Sequence, residues 1–401
     1  MPEAFQFDPF DPKQTQNMWH QFRDLRENNP ISRPGDFVFV TRYDDVKAVL
    51  RKPRAFGNSQ GFRAPGVEVP VEDRLVGELD APLHRPIRRL LTDILTPRIV
   101  ENARAFTRAT ARAQLENLAG RGRGDLVRDF TLLLPTQVTV HILGLPVEDS
   151  PQLSQWANEL LHSDWPAYNR TERGEGLVGA FPEYAAYIDR HVDERRDSSD
   201  PPDDLITGLI RQRLFDEPVS SRQIRALVSN LILGGISTST NMLGNLLHHL
   251  LRNPADFRAL RAKPELAATA VEESLRLMPP ILYVVRTCTI PTEISGFKIE
   301  AGERVICSLA SANRDDRIFP DPDSFRLDRE KPAAHMSFSF GPHLCLGASS
   351  ARMVGQVVTE EFTQHFDCDQ ISLSPEYRFE GVPVFMEYGP GELPVSLRGN
   401  S

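Results

Sequence analysis

Ten residues near the C-terminus, Phe338-Ser339-Phe340-Gly341-Pro342-His343-Leu344-Cys345-Leu346-Gly347, constrain this chain more than any other stretch. The residues that follow, from Ala348 to Phe362, have the apolar spacing of a helix, so Cys345 falls at a helix entrance. There the positive end of the helix dipole and its free N–H groups favour a thiolate over a thiol. A thiolate is the form that a soft metal or an electrophile requires. Gly341 suits a turn with positive φ, and Gly347 lets something flat and large approach the helix backbone. Phe338 and Leu344 supply apolar shielding. The plainer alternative is a buried structural cysteine beside a glycine turn. Cys288, Cys307 and Cys368 share the last third of the chain with Cys345, and no C-x-x-C pairing is present, which argues against a zinc site or a disulfide framework.

Helical patterns dominate the rest: 97–119, 130–143, 179–196, 220–251, 254–262, 264–277 and 345–366. Strand-like text is confined to Phe37–Thr41, Val284–Thr289, Ile294–Ile299, Arg304–Ser308 and a C-terminal group near 383–397. The expectation is a mainly α fold with a small β-sheet region, in one large domain spanning 1–401. The balance of 46 Lys+Arg against 55 Asp+Glu, net charge -9, excludes a broad nucleic-acid footprint. The N-terminal residues have neither a signal-peptide pattern nor an apolar run long enough to span a bilayer. We expect a cytoplasmic protein, off the membrane and monomeric.

The ten-residue stretch reads F-x-x-G-x-x-x-C-x-G and fits the axial thiolate of a haem iron, where sulfur donates electron density. It resembles the haem-binding loop of the cytochrome P450 superfamily, and the likeness runs nearly the full length. Glu273-Ser274-Leu275-Arg276 resembles that family's E-x-x-R, and Phe325-Arg326-Leu327-Asp328-Arg329 the later segment that contributes a second arginine. Ala312-Asn313-Arg314-Asp315, Phe319-Pro320-Asp321-Pro322 and Asp80-Ala81-Pro82-Leu83-His84-Arg85 are similar to segments of its bacterial soluble members. The resemblance implies the cytochrome P450 fold, haem b held by Cys345, and O2 as co-substrate. Glu273, Arg276 and Arg329 are then a structural network: alone, an i, i+3 pair is worth only ~0.2–0.5 kcal/mol, but a carboxylate held by two guanidinium groups could lock the cysteine loop.

Haem carries two propionates that need cationic or hydrogen-bonding partners. His84 and Arg88 share a helix face at i, i+4, Arg286 stands in an apolar strand, and His343 lies two residues before the cysteine. With the resemblance, these residues are expected to hold the propionates, together with Phe338, Gly341 and Gly347 around the ring.

In the segment 220–251, Leu231-Ile232-Leu233-Gly234-Gly235-Ile236-Ser237-Thr238 interrupts an apolar helix. Two interior glycines cost roughly 2 kcal/mol relative to alanine. Gly234 and Gly235 share the face of Thr238, so a flat ligand could press on bare backbone there, and the Thr238 hydroxyl could bond back to the Gly234 carbonyl and open the helix. A close helix–helix crossing is the competing reading. The stretch resembles the family's oxygen-side element, in which the threonine donates a hydrogen bond and a preceding acid supplies protons. Here Thr238 is present, but Ser237 replaces the acid, and no carboxylate stands between Glu217 and Asp256. Serine does not ionise near neutrality and only passes protons along. Thr238 and Ser237 then act in a hydroxyl relay, or with a polar group of the substrate. The alternative is an atypical reaction, peroxide-driven oxygenation or radical coupling.

The resemblance places pocket walls at 56–79, 160–185, 231–239, 281–285 and 382–388, with Ile281, Leu282, Tyr283, Val384 and Phe385 as candidate contacts and Tyr283 and Tyr388 as polar handles. A hydrophobic small-molecule substrate follows. No fused flavin or iron–sulfur motif is present, so electrons are expected from a separate ferredoxin and ferredoxin reductase. Arg104, Arg108 and Arg112 form either a solvated stripe or a docking patch for that partner, with Arg352 a further candidate. A non-catalytic haem sensor is the remote rival, for which Thr238 would have no purpose.

Overall fold

The computed structural model describes residues 7–9, 11, 18–59, 69–162, 175–382 and 386–397. Helices dominate, accompanied by small sheets. Contacts gather the chain into two compact units, one from Met1–Gly57, Thr107–Leu132 and Thr238–Ser401, the other from Asn58–Phe106 and Leu133–Ser237. Each unit collects separate stretches of sequence, so no single cut divides the chain into contiguous domains.

The first unit contains a five-stranded sheet in the order Ile31–Ser32, Phe37–Val40, Arg304–Ser308, Tyr283–Cys288, Phe56–Gly57. Its one parallel pair sets Val305 opposite Val38, and the antiparallel neighbour sets Val305 opposite Arg286. Side chains along a strand alternate between faces, and both faces here are covered. One carries Val38, Val40, Val305, Cys307 and Cys288 into a cluster with Tyr43 and Phe319. The other carries Phe39, Tyr283, Val285 and Ile306 against Phe7, Met18 and Phe22. Burial on both faces explains why these strands read as apolar runs rather than as alternating text. A second sheet pairs Pro394–Leu397 with Ile371–Leu373 and with Arg123–Asp125.

The helix expected over 220–251 is two helices, Ser221–Gly235 and Ser237–Arg252, with Ile236 between them. The first begins in a capping box, Ser220 Oγ accepting from Gln223 N at 3.2 Å and Gln223 Oε1 from Ser220 N at 3.0 Å. Ile236 N still donates to Ile232 O at 3.2 Å, so the interruption is a local opening and not a turn. The pattern at 179–196 divides into Gly176–Ala180 and Pro182–Asp197, because a proline suits the first turn of a helix and not its interior.

Within the first unit, Glu273 and Arg276 of the Ala267–Leu277 helix form a fully buried ion pair, Nε to Oε1 at 2.8 Å and Nη2 to Oε2 at 3.0 Å. Arg329 Nε adds a bond to Glu273 Oε1 at 2.7 Å, and Arg326 N one to Oε2 at 3.0 Å. Removing one partner of a buried pair leaves an uncompensated charge, so Glu273→Gln should cost about 3–5 kcal/mol in urea unfolding. A loss under about 1 kcal/mol, the scale of a surface pair, would mean that this network does not hold the fold.

Candidate active site

Cys345 lies in the turn before the Ala348–His365 helix, whose N-cap is Gly347. Its N–H donates to Phe338 O at 2.8 Å, and Leu344 N donates to Gly341 O at 3.1 Å, so the loop closes on itself. Upstream, Met336 N donates to Asn313 Oδ1 at 2.6 Å and Ser337 Oγ to Leu275 O at 2.7 Å. The second of these bonds ties the loop to the helix that carries Glu273. Gly341 has φ +75°, and a Cβ there would stand 2.7 Å from Leu50 O, so both conformation and space demand glycine. At Gly347 a Cβ would meet nothing within 4 Å, and no protein neighbour accounts for the glycine. Among the cysteines, Cys288 and Cys307 are buried, Cys368 is half-buried and Cys345 is exposed. Burial pushes the Cys307 thiol up to about 12 and raises Cys288 and Cys368 too. The accessible thiol is the one at the helix entrance.

Glu272, beside Glu273, anchors the other flank of the loop. Arg352 donates to it at 2.6 and 3.0 Å, and His335 Nε2 lies 3.0 Å from its Oε2. Ser337 N–H donates to His335 Nδ1 at 3.1 Å, which fixes the imidazole proton on Nε2. Burial works to raise the Glu272 carboxyl, but the bonds from His335 and Arg352 outweigh it and hold it at about 2. The Arg352 guanidinium also stacks over the Phe338 ring at 4.6 Å. Sequence reading missed this cluster, since nothing in the spacing of residues 272, 335 and 352 marks them as neighbours. It also removes Arg352 as a free docking cation. The arginine stripe is engaged likewise: Arg108 pairs with Glu360 at 2.6 Å and with Glu361, Arg112 with Glu361 at 2.6 Å, and Arg104 with Glu101 at 2.9 Å.

Of the expected propionate partners, Arg286 and His343 belong to the first unit. Arg286 is only 7% exposed, on the sheet face that carries Cys288 and Cys307, and Nη1 donates to Val285 O at 2.8 Å. A guanidinium on an apolar sheet face suits a bound anion. His343 is half-buried in the short turn Gly341–His343. His84 and Arg88 lie in the second unit, on the His84–Ile94 helix. His84 is 6% exposed; burial, helped by Arg88 and opposed by Asp80, lowers its pKa and keeps the ring neutral. Asp80 in turn accepts from Asn58 N at 3.0 Å and Ser59 N at 2.9 Å.

The paired glycines separate. A Cβ at Gly235 would lie 2.8 Å from Thr139 Oγ1, so packing on the Leu133–Leu143 helix accounts for this glycine. A Cβ at Gly234 would meet nothing within 4 Å, and the residue is exposed. Ser237 and Thr238, both half-buried, open the next helix. One turn on, Asn241 Nδ2 donates to Glu387 Oε2 at 3.0 Å.

Two of the expected pocket residues are core. Leu282 and Tyr283 are 1% and 0% exposed, and the Tyr283 ring packs edge-on against Phe39 at 5.7 Å and Phe22 at 6.2 Å. Strand alternation sends Tyr283 to the opposite sheet face from Arg286, and burial raises its phenol well above the usual range. Tyr388 is likewise stacked edge-on with Trp19 at 5.8 Å. Ile281 stays half-buried and pairs in a β-bridge with Glu387. Val384 and Phe385 lie outside the described residues.

Within the first unit, an exposed cysteine at a helix entrance, a buried arginine on an apolar sheet face and a glycine at 347 with no protein neighbour fit a flat, anionic macrocycle with a thiolate-bound metal. The sequence model for cytochrome P450 matches residues 13–265 and 259–386. The chain belongs to the cytochrome P450 family and is a haem-thiolate monooxygenase. It is 30% identical to mycinamicin IV hydroxylase/epoxidase of Micromonospora griseorubida, with 98% of each chain covered. With cytochrome P450 130 of Mycobacterium tuberculosis it shares 32% identity over 86% of this chain and 87% of that one. A cytochrome P450 structure from Chondromyces apiculatus superposes with a TM-score of 0.86 at 27% identity, covering 98% and 99%. P450BioI, solved with an acyl carrier protein bearing hexadec-9Z-enoic acid, gives 0.84 at 28%, covering 96% and 99%. No helix among the described residues is long and apolar enough to cross a membrane.

The two glycines should respond to alanine with opposite sign. Gly234→Ala should raise apo-protein stability by up to ~1 kcal/mol through helix propensity and lower haem retention. Gly235→Ala should lower stability by ~1–3 kcal/mol through overpacking at Thr139. Thermal unfolding with a haem titration reads both, and equal effects would refute the distinction. For Glu272, a folded pKa of about 2 against an unfolded value near ~4.3 means stability that is present above ~4.3 and lost as pH falls through about 2. Wild type should therefore lose more stability than Glu272→Gln across that window, and parallel loss would show that the cluster contributes nothing.

Proposed function

We propose that the enzyme inserts one atom of O2 into a hydrophobic small organic molecule, by hydroxylation or epoxidation, with haem b bound through Cys345. The observation that carries this reading is the single exposed cysteine, held in a self-closed loop at a helix entrance. When bound, haem supplies the reductive activation of dioxygen. The remaining work belongs to the chain. Arg286, His343, His84 and Arg88 hold the propionates, as the family resemblance implies. Arg352 stacked on Phe338 and the Cys345 N–H on Phe338 O keep the loop rigid around the sulfur. Gly234 leaves room on the oxygen side, and Thr238 donates a hydrogen bond there, with Ser237 passing protons in the place of an acid.

A hydrophobic substrate is supported by two of the similar proteins, one named for the hydroxylation or epoxidation of mycinamicin IV and the other solved with an acyl carrier protein bearing hexadec-9Z-enoic acid. The chain carries no flavin or iron–sulfur motif, so a separate ferredoxin and its reductase deliver electrons, and the cytoplasm is the compartment that suits them. Ser237 favours one further reading, peroxide-driven oxygenation or radical coupling, in which proton delivery matters less.

The test begins with the carbon monoxide difference spectrum of the reduced protein, which should carry the thiolate signature and lose it in Cys345→Ser. Spin-state shifts across a compound library then identify a substrate. With it, Thr238→Ala should lower product formed per NAD(P)H consumed, by at least about tenfold if a positioned proton donor is lost. A ratio that Thr238→Ala and Ser237→Asp leave unchanged would sink the relay and favour the peroxide reading.

A further inference from the structure

The sequence offers Thr238 no acid, since no carboxylate stands between Glu217 and Asp256. The fold brings one to the next turn of the same helix from the far end of the chain. Asn241 is only 3% exposed and holds Glu387 Oε2 at 3.0 Å. Residues three apart on a helix are surface neighbours, so Glu387 meets the helix on the side that carries Thr238. Pro390 lies on Gly244, where a Cβ would come within 2.9 Å of its ring, and Asn245 Nδ2 donates to Tyr388 O at 2.9 Å. Gly389 packs so close to Asn241 that a Cβ would stand 2.5 Å from its Oδ1. These contacts seat residues 388–390 on the Asn241–Asn245 stretch of the helix, and Glu387 reaches it at Asn241, one turn from Thr238. Its backbone is fixed from the other side by the bridge to Ile281 and by Leu282 N donating to Met386 O at 2.7 Å. Glu387 is half-buried, which leaves it a route to solvent.

We propose, resting on the haem-monooxygenase reading above, that Glu387 is the proton donor that the position before Thr238 lacks, and that Asn241 is its positioning residue. The Glu387 carboxyl gives its proton to the hydroxyl of Thr238 through solvent, becomes a carboxylate, and takes a proton back from bulk water. No electrons pass through it. A carboxyl is the group type that general acid catalysis uses, and a serine hydroxyl is not.

The experiment uses the haem-loaded full chain, reduced through a surrogate ferredoxin and reductase with no organic substrate added. Two quantities are read: the fraction of consumed NADPH that appears as hydrogen peroxide rather than water, and the pH dependence of the C–O stretching band of the reduced carbon monoxide complex. General acids contribute about 10²–10⁴-fold, so in Glu387→Gln the water-forming branch should slow at least about tenfold and peroxide should dominate. The band should lose its pH dependence, and Glu387→Asp should keep wild-type behaviour. Ser237→Asp in the Glu387→Gln background should restore water formation, which a merely structural role would not allow. Asn241→Leu, which leaves the acid in place but unheld, should give part of the rise in peroxide. Unchanged peroxide and an unchanged band in Glu387→Gln overturn the assignment, as does a rise that Ser237→Asp cannot reverse. A wild-type protein without the thiolate spectrum overturns the underlying reading, and that result precedes any variant.

Discussion

One buried guanidinium organises the surroundings of the cysteine. Taking the Glu273–Arg276 pair out of water is expensive, and burial of this kind is tolerated only where every donor and acceptor finds a partner. Arg276 meets that condition with all five of its N–H groups. Nε and one Nη2 hydrogen go to Glu273, the Nη1 pair to Asn313 O at 3.1 Å and Pro322 O at 2.6 Å, and the last to Ser324 O at 2.9 Å. Arg329 turns in the same way to Pro320 O at 2.8 Å and Ser324 O at 3.1 Å. The stretch from 320 to 329 has no helix or strand of its own, so its carbonyls would otherwise lack partners. Side-chain guanidinium groups take the place of secondary structure there.

The neighbouring carboxylate extends the same logic. Glu272 and Glu273 are consecutive on one helix and reach different segments, Glu272 to His335 and Arg352, Glu273 to Arg326 and Arg329. The cysteine loop lies between residues 335 and 352 in sequence, so both its flanks are tied to Glu272, and Ser337 Oγ on Leu275 O adds a third tie to the same helix. Phe338 is then fixed twice, its carbonyl by Cys345 N–H and its ring by Arg352. A thiolate site needs such rigidity, because its supporting residues and not the ligand alone set the direction of the sulfur.

What was legible in the sequence was local. A cysteine before a helical pattern, the positive φ at Gly341 and the i, i+3 pair of Glu273 and Arg276 are each written within a few residues. Arg329 was reachable only through the resemblance, because its bond to Glu273 joins positions far apart in the chain. The residues that the structure shows in a different light share that cause. Arg108 and Arg112 looked like free cations because Glu360 and Glu361 stand some 250 residues further on. Tyr283 looked like a pocket residue because text cannot say which face of a strand points to Phe22 and Phe39. Gly234 and Gly235 looked alike, and only the position of Thr139 separates them.

The serine at 237 is consistent with an acid arriving from elsewhere. On the Glu387 assignment, a carboxylate at 237 would add a second negative charge to the same end of the helix. Two carboxylates that share a site cannot both ionise freely, and one of them is driven to hold its proton near neutrality. Such a pair suits a dyad chemistry, whereas a relay needs one acid that releases and regains its proton readily. On this assignment serine leaves the acid role to Glu387 and still offers a hydroxyl beside Thr238.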